Sequence, residues 1–343
     1  MGINIKRKWL WSVITLLLAV LTIGAVIRGS QMSSEQLLEG IRTAKRGWLF
    51  LAALASLGFV FFEGQAVLTI LRAAGYRRGP SRGFVYAAAD FYFSAITPSA
   101  TGGQPGSAFF MMQDGVPAAV TAATLLVNLV LYNAAILTIG AFCLVTRPGI
   151  FWHFEPGCRV LIILGILVLT GMGVVFFMLL WRQRIVHRIA KAVIAFLARC
   201  RLMKNPEKWN LKLEKTMEEY KACVGMMAGQ RYMWVRAFLY NILQRMSLFF
   251  VTVFVFLAIG GGQGRLFDLW VTQFFVSLGS NCVPIPGSMG VTDYLMLDGY
   301  LNLMSRNMAY HLQLMSRGMS FYCCMLVCIL TIIVAYVLLR RRK

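Results

Sequence analysis

Charge is scarce in this 343-residue chain: 14% of its residues are Asp, Glu, Lys or Arg, and only 13 are acidic. A water-soluble domain carries roughly 25% charged residues, so the composition excludes one. Histidine is scarcer still. His153, His187 and His311 lie far apart, with no nucleophile at a spacing that would make a catalytic pair. The eight cysteines show no metal-type spacing, and Cys143, Cys323, Cys324 and Cys328 lie in apolar runs where thiols serve as small hydrophobes. No Walker A sequence occurs, and the glycine-rich stretches lack the strand-to-helix setting of a dinucleotide site. Gly260-Gly261-Gly262-Gln263-Gly264 reads instead as a flexible extracellular turn. The expectation is no cofactor, no metal and no conventional catalytic centre.

What the chain does have is apolar length. Hydrophobic residues make up 59% of it, and a stretch of about 20 is needed to cross the hydrocarbon of a bilayer. Six segments meet that requirement: Trp9 to Ile27, Trp48 to Leu71, Ala118 to Val145, Val160 to Trp181, Met233 to Ile259 and Phe321 to Leu339. The first follows Lys6, Arg7 and Lys8 as a signal peptide would, but it is long enough to span and no small-x-small cleavage site follows, so it reads as an uncleaved first helix.

Two more apolar stretches, 83–113 and 266–304, are interrupted at their centres by helix breakers. The first break runs from Thr97 to Gly106 and contains Pro98, Gly102, Gly103 and Pro105; the second runs from Gly279 to Gly290 and contains Pro284, Pro286 and Gly287. Backbone that leaves the helical ladder inside a membrane must find partners in protein or water. These stretches therefore read as re-entrant hairpins.

The net charge of +21 points to the membrane surface rather than to nucleic acid, because 24 of the 34 basic residues fall in four places: Lys6–Lys8, 72–82, 182–236 and 340–343. If each broken stretch returns to the side it entered, all four clusters face the cytoplasm, as the positive-inside rule requires. The N- and C-termini then lie there too. The first hairpin opens to the cytoplasm and the second to the outside, giving an inverted-topology repeat. The predicted fold class is an all-α integral membrane protein of about six full spans and two broken-helix hairpins. Residues 1–181 form the first half, 182–231 a basic amphipathic segment on the cytoplasmic leaflet, and 232–343 the second half. That segment is also a candidate docking surface for a soluble partner.

Ionisable groups inside spans are costly and so are candidates for function. They are Glu63, Asp90, Arg245 and Asp293. Glu63 and Arg245 equally suit an interhelical pair that fixes packing, and Asp90 and Asp293, taken as matching positions beside the two breaks, equally suit helix caps. The half-helix ends offer backbone amides to an anionic group such as a lipid phosphate, around Gly102, Gly103, Gly287 and Gly290. Thr97, Thr101, Gln104 and Asn281 add neutral donors at the same depth. Glu63, Asp90 or Asp293 would take an aminoacyl ammonium or a coupling proton.

The run Thr97-Pro98-Ser99-Ala100-Thr101-Gly102-Gly103-Gln104-Pro105, followed by Phe109–Met112 and Asp114-Gly115-Val116, resembles the first signature of the lysylphosphatidylglycerol synthase transmembrane family. Pro284-Ile285-Pro286-Gly287-Ser288-Met289-Gly290 with Asp293 is similar to the second, although the family usually has a double glycine at Gly287-Ser288 and a glutamate near Asp293. The resemblance extends over nearly the whole chain. It implies the membrane half of multiple peptide resistance factor proteins, which moves a lysyl lipid to the outer leaflet. The family's cytosolic aminoacyltransferase domain is expected to have no counterpart in this sequence. The expected function is a flippase-like lipid translocase of a bacterial-type plasma membrane acting on anionic or lysyl-modified phospholipids. The alternative is a phosphatidylglycerol lysyltransferase, or a membrane subunit of one, using lysyl-tRNA. A separate cytosolic synthase and a second copy of the chain are the partners to consider.

Overall fold

The computed structural model describes residues 42, 44–97, 100–182, 187–188, 191–192, 206–281, 283 and 285–341, with side chains from 213 onward in the helix that begins at 206. The expected first span, Trp9 to Ile27, the terminal basic clusters at 6–8 and 342–343, and most of the basic segment before 206 lie outside the described residues.

The described chain is helical, with no strand among the described residues. In order it forms α1 (Arg46–Ala73), α2 (Pro80–Ile96), α3 (Gly103–Gln113), α4 (Ala118–Thr146), α5 (Pro148–His153), α6 (Pro156–Trp181), α7 (Pro206–Ala228) and α8 (Arg231–Ala258). Then come α9 (Leu266–Ser280), α10 (Val291–Leu301), α11 (Arg306–Arg317), a π-helical turn (Gly318–Cys323) and α12 (Cys324–Arg341). Proline opens α2, α5 and α6, where its missing N–H costs nothing.

Five of these stretches are long and apolar enough to cross a membrane: α1, α4, α6, α8 and the continuous Arg306–Leu339. At 1.5 Å per residue the 28 residues of α1 cover about 42 Å. The last span corrects the expected start at Phe321. The span begins fifteen residues earlier, at Arg306; α11 is strongly amphipathic, so it forms no continuous apolar run, and the π-turn joins it to α12.

The centre of the molecule is the pair α1 and α8, packed antiparallel over their full length. The Lys45 N–H donates to the Ala258 carbonyl (2.9 Å) at one end, and Gln230 Nε2 donates to the Ala73 carbonyl (3.0 Å) at the other. Between them Trp48 stacks on Phe254 and Phe62 on Tyr240. The hairpin of α2 and α3 follows the C-terminal end of α1, and that of α9 and α10 follows the C-terminal end of α8. Because the central pair is antiparallel, the two hairpins enter from opposite ends.

Each hairpin returns to its own end. In the first, Tyr86 Oη donates to the Asp114 carboxylate (2.6 Å), Arg82 pairs with the same carboxylate (3.3 Å) and Arg78 donates to the Asp114 carbonyl (2.6 Å), closing its mouth. In the second, Tyr300 Oη donates to Gln273 Oε1 (2.6 Å), and Gly299 lies so close to Thr272 that a Cβ there would meet its methyl at 2.5 Å. The tips turn back where the prediction placed the breakers. Ala100 in the first, and Gly287, Ser288 and Gly290 in the second, have left-handed backbone. Pro98, Ser99, Cys282 and Pro284 lie outside the described residues.

Two apolar clusters fill the interior, one toward each end. The first takes α4 as far as Leu131 and α8 as far as Ala237; the second resumes at Ile136 and Phe249. Where they meet, α4 and α8 contribute a group of buried polar residues: Asn128, Asn133, Asn241, Gln244 and Arg245.

Candidate functional site

This polar layer meets Glu63 from α1. Glu63 is 7% exposed, Gln244 2% and Arg245 8%, so groups that cost several kcal/mol in hydrocarbon are kept within the bundle. Gln244 Nε2 donates to Glu63 Oε2 at 3.0 Å. Asp90 on α2 and Arg245 on α8 are the charged groups that act electrostatically on Glu63. Arg245 is held by Tyr132, whose hydroxyl accepts from its Nη2 and whose ring lies 4.2 Å from the guanidinium carbon; Phe59 covers it at 5.8 Å. One turn away, Asn241 Nδ2 donates to Asn128 Oδ1 at 3.1 Å.

The first break lies against this cluster because glycines let the backbones approach. A Cβ on Gly64 of α1 would sit 2.5 Å from the Gly83 carbonyl of α2, and one on Gly103 would sit 2.1 Å from both Asp90 Oδ1 and Ser94 Oγ. Gln104, the second residue of α3, donates its Nε2 to Asp90 at 3.3 Å. Thr97 holds the turn itself: its hydroxyl donates to the Phe93 carbonyl (2.6 Å) and accepts from the Gly102 N–H (2.8 Å). Thr101 lies exposed at the tip.

The second break forms a separate cluster. Asp293 caps α10, its Oδ2 accepting from the Gly290 N–H at 3.0 Å. Its Oδ1 accepts from Gln313 Nε2 (2.9 Å) and pairs with Arg317 Nε (3.2 Å) on α11. Arg317, 7% exposed, also donates to the Gly287 carbonyl (3.2 Å) and lies 4.8 Å from the centre of the Phe321 ring in the π-turn. The Ser288 hydroxyl donates to the Ser280 carbonyl (2.9 Å), closing the loop from which Asn281 points outward.

The expected sites thus separate into two sets. Glu63, Asp90, Gly102, Gly103, Gln104 and Arg245 gather about the first break, and Gly287, Gly290 and Asp293 about the second. They adjoin through α2, which packs on the Pro286–Ser288 turn, and through the Phe91 and Phe321 rings, 6.2 Å apart. One expectation is corrected. Asp90 and Asp293 are not in matching places, because Asp90 lies on the helix that enters its hairpin and Asp293 on the helix that leaves its own.

Sequence reasoning missed Tyr132, Gln244, Asn128, Asn241, Gln313 and Arg317. For Arg317 a signal existed, since it lies only four residues before Phe321 and the apolar run it opens. The uncharged residues gave none.

A profile of the family described as the lysylphosphatidylglycerol synthase TM region matches residues 9–328. Comparison with curated proteins and with solved structures gives no match.

Proposed function

The chain belongs to the lysylphosphatidylglycerol synthase transmembrane-region family, and from that premise we propose that it carries a phosphate-headed lipid, of the phosphatidylglycerol or lysyl-phosphatidylglycerol type, between the leaflets of a plasma membrane. The observation that carries this reading is the pair of broken hairpins that enter from opposite ends, the first break beside a buried polar layer and the second against α2 of the first hairpin. Such backbone is tolerated at membrane depth where protein or a water-filled path shelters it, and in transporters it builds the substrate site.

The headgroup would move past the two tips while its tails stay in lipid. The first turn of α3 carries no acidic residue of its own, and the positive end of its dipole suits a phosphate. Gln104 and Thr101 stand beside it. At the second tip Asp293 supplies the negative charge that a lysyl ammonium would need, released by Arg317 as the loop shifts. The two halves would rock about the α1–α8 pair to alternate access.

The test is a leaflet-resolved assay in proteoliposomes with fluorescent phosphatidylglycerol, comparing wild type with Gly103→Leu and Asp293→Asn. Both substitutions are expected to slow translocation; rates equal to wild type would remove the site. The family description also names a synthase, so the same vesicles are given lysyl-tRNA. Formation of lysyl lipid would replace the translocase reading with that of a lysyltransferase or a membrane subunit of one.

A further inference from the structure

A threonine inside a helix can give its hydroxyl to the carbonyl four residues back. This chain does so repeatedly: Thr69, Thr138, Thr146, Thr272 and Thr331 donate there at 2.7–2.8 Å. Thr121 and Thr124 on α4 do not. They are 2% and 0% exposed, and neither hydroxyl has a partner. On α8, Asn241 Oδ1, Gln244 Oε1 and Arg245 Nε are likewise buried and unpartnered. Leaving such atoms unpaired is costly, so a group of them calls for a common explanation.

The helix register sets these residues along one line. Asn241 bonds to Asn128 and Arg245 to Tyr132, with the same offset of 113 residues in both pairs, so α4 and α8 run parallel and in step. Thr121, Thr124 and Asn128 follow one another at spacings of three and four, the period of a single helix face. One turn back from the asparagine pair, Thr124 comes level with Ala237, a small side chain at 0% exposure. Thr121 comes level with Trp234, toward the end where Arg72, Arg77 and Arg231 lie. The stripe thus runs from that basic end to Arg245, about 16 Å along α4 from Thr121 to Tyr132.

We propose that α4 and α8 hold a file of water molecules from Thr121 to Arg245, open at the basic end, which hydrates the guanidinium in the middle of the bundle. A helical turn of about 5.4 Å matches two hydrogen-bonded waters end to end. The stripe offers a hydroxyl or an amide at each turn, so each water has a side chain as well as its neighbours to bond to, the set of partners that buried water needs. Asn241 Oδ1 and Gln244 Oε1 accept from the file, Arg245 Nε donates to it, and the two threonines can do either. Arg245 is thereby in contact with the solution on that side, although the Tyr132 and Phe59 rings cover it. None of this depends on whether the chain moves lipid.

Two measurements on the full-length protein in lipid nanodiscs test this, and neither uses lipid movement. The first compares Thr124→Cys with Ala123→Cys, at a buried position on a different face of α4, in a background lacking the native thiols. Silver ion dissolves in water and not in hydrocarbon, and it blocks a thiol against maleimide labelling after denaturation. Thr124→Cys should be blocked about tenfold faster or more, because the reactive thiolate forms where water reaches it. Equal rates overturn the proposal. So does equally fast blocking of Thr124→Cys by a bulky sulfonated methanethiosulfonate, which would mean an open cleft and not a file. The second measurement is thermal unfolding of Thr121→Val combined with Thr124→Val, which exchanges both hydroxyls for methyls of the same shape. The midpoint should fall, and it should fall less when both positions carry serine. Replacing a dry, unpartnered hydroxyl by a methyl is neutral or stabilising, so an unchanged or raised midpoint in the valine variant overturns the proposal.

Discussion

Arg317 shows how much one buried cation can fasten. It neutralises Asp293, supplies a donor to the Gly287 carbonyl in a left-handed turn, and covers the Phe321 ring. Arg317→Met keeps the cover over the ring and removes the charge and the donor. We expect a loss of about 1–3 kcal/mol, the cost of leaving buried acceptors unpaired, measured as thermal unfolding in detergent. Asp293→Asn made in the Arg317→Met background should recover part of that loss, since it removes the stranded charge. The candidate site was legible at this scale only where charge or a breaker stood out. Glu63, Asp90 and Arg245 were conspicuous as ions in apolar runs. Gln244, Tyr132 and Asn128, which orient them, carry no charge and look like ordinary members of a span. The tertiary fold alone brings residues 63, 132 and 244 together.

Among elements, the contact between α1 and α2 depends on two small residues. Gly64 and Gly83 face each other so closely that a Cβ on either would overlap backbone or the Leu68 side chain at 2.5–2.8 Å. Gly64→Ala should therefore destabilise the protein by about 1–3 kcal/mol, as overpacking does. Gly171→Ala, where a Cβ on α6 meets nothing within 4 Å, should stabilise it by up to about 1 kcal/mol through helix propensity. Unfolding of the two variants side by side checks both signs. Helix positions were largely readable beforehand because apolar length, proline and glycine mark spans and breaks directly. The last span was not. From Arg306 to Ser316 its apolar residues recur on one face only, with Ala309, Leu312 and Met315 buried and Tyr310 and His311 exposed. Hydropathy summed along the chain does not register such a helix.

For the molecule as a whole, the antiparallel α1–α8 pair fixes the relation between the halves without reference to any membrane. The positive-inside rule then predicts which end faces the cytoplasm. Arg72, Arg77, Arg78, Arg82 and Arg231 lie at the end where the first hairpin opens. A cysteine placed at Arg77 should react with a membrane-impermeant maleimide only after the cells are permeabilised, and one placed at Gln263 should react in intact cells, in a background lacking the native thiols. Labelling of both from the same side would contradict the opposed hairpins.

The two tips are tied down by different chemistry. The first is sealed by neutral hydrogen bonds of the Thr97 hydroxyl, the second by the ion pair of Arg317 with a partly exposed Asp293. Dissolved electrolyte weakens the latter and leaves the former nearly untouched. On the translocase reading, raising the ionic strength should hasten the step that frees the second tip and spare the other, so the turnover becomes divisible into two phases by salt alone.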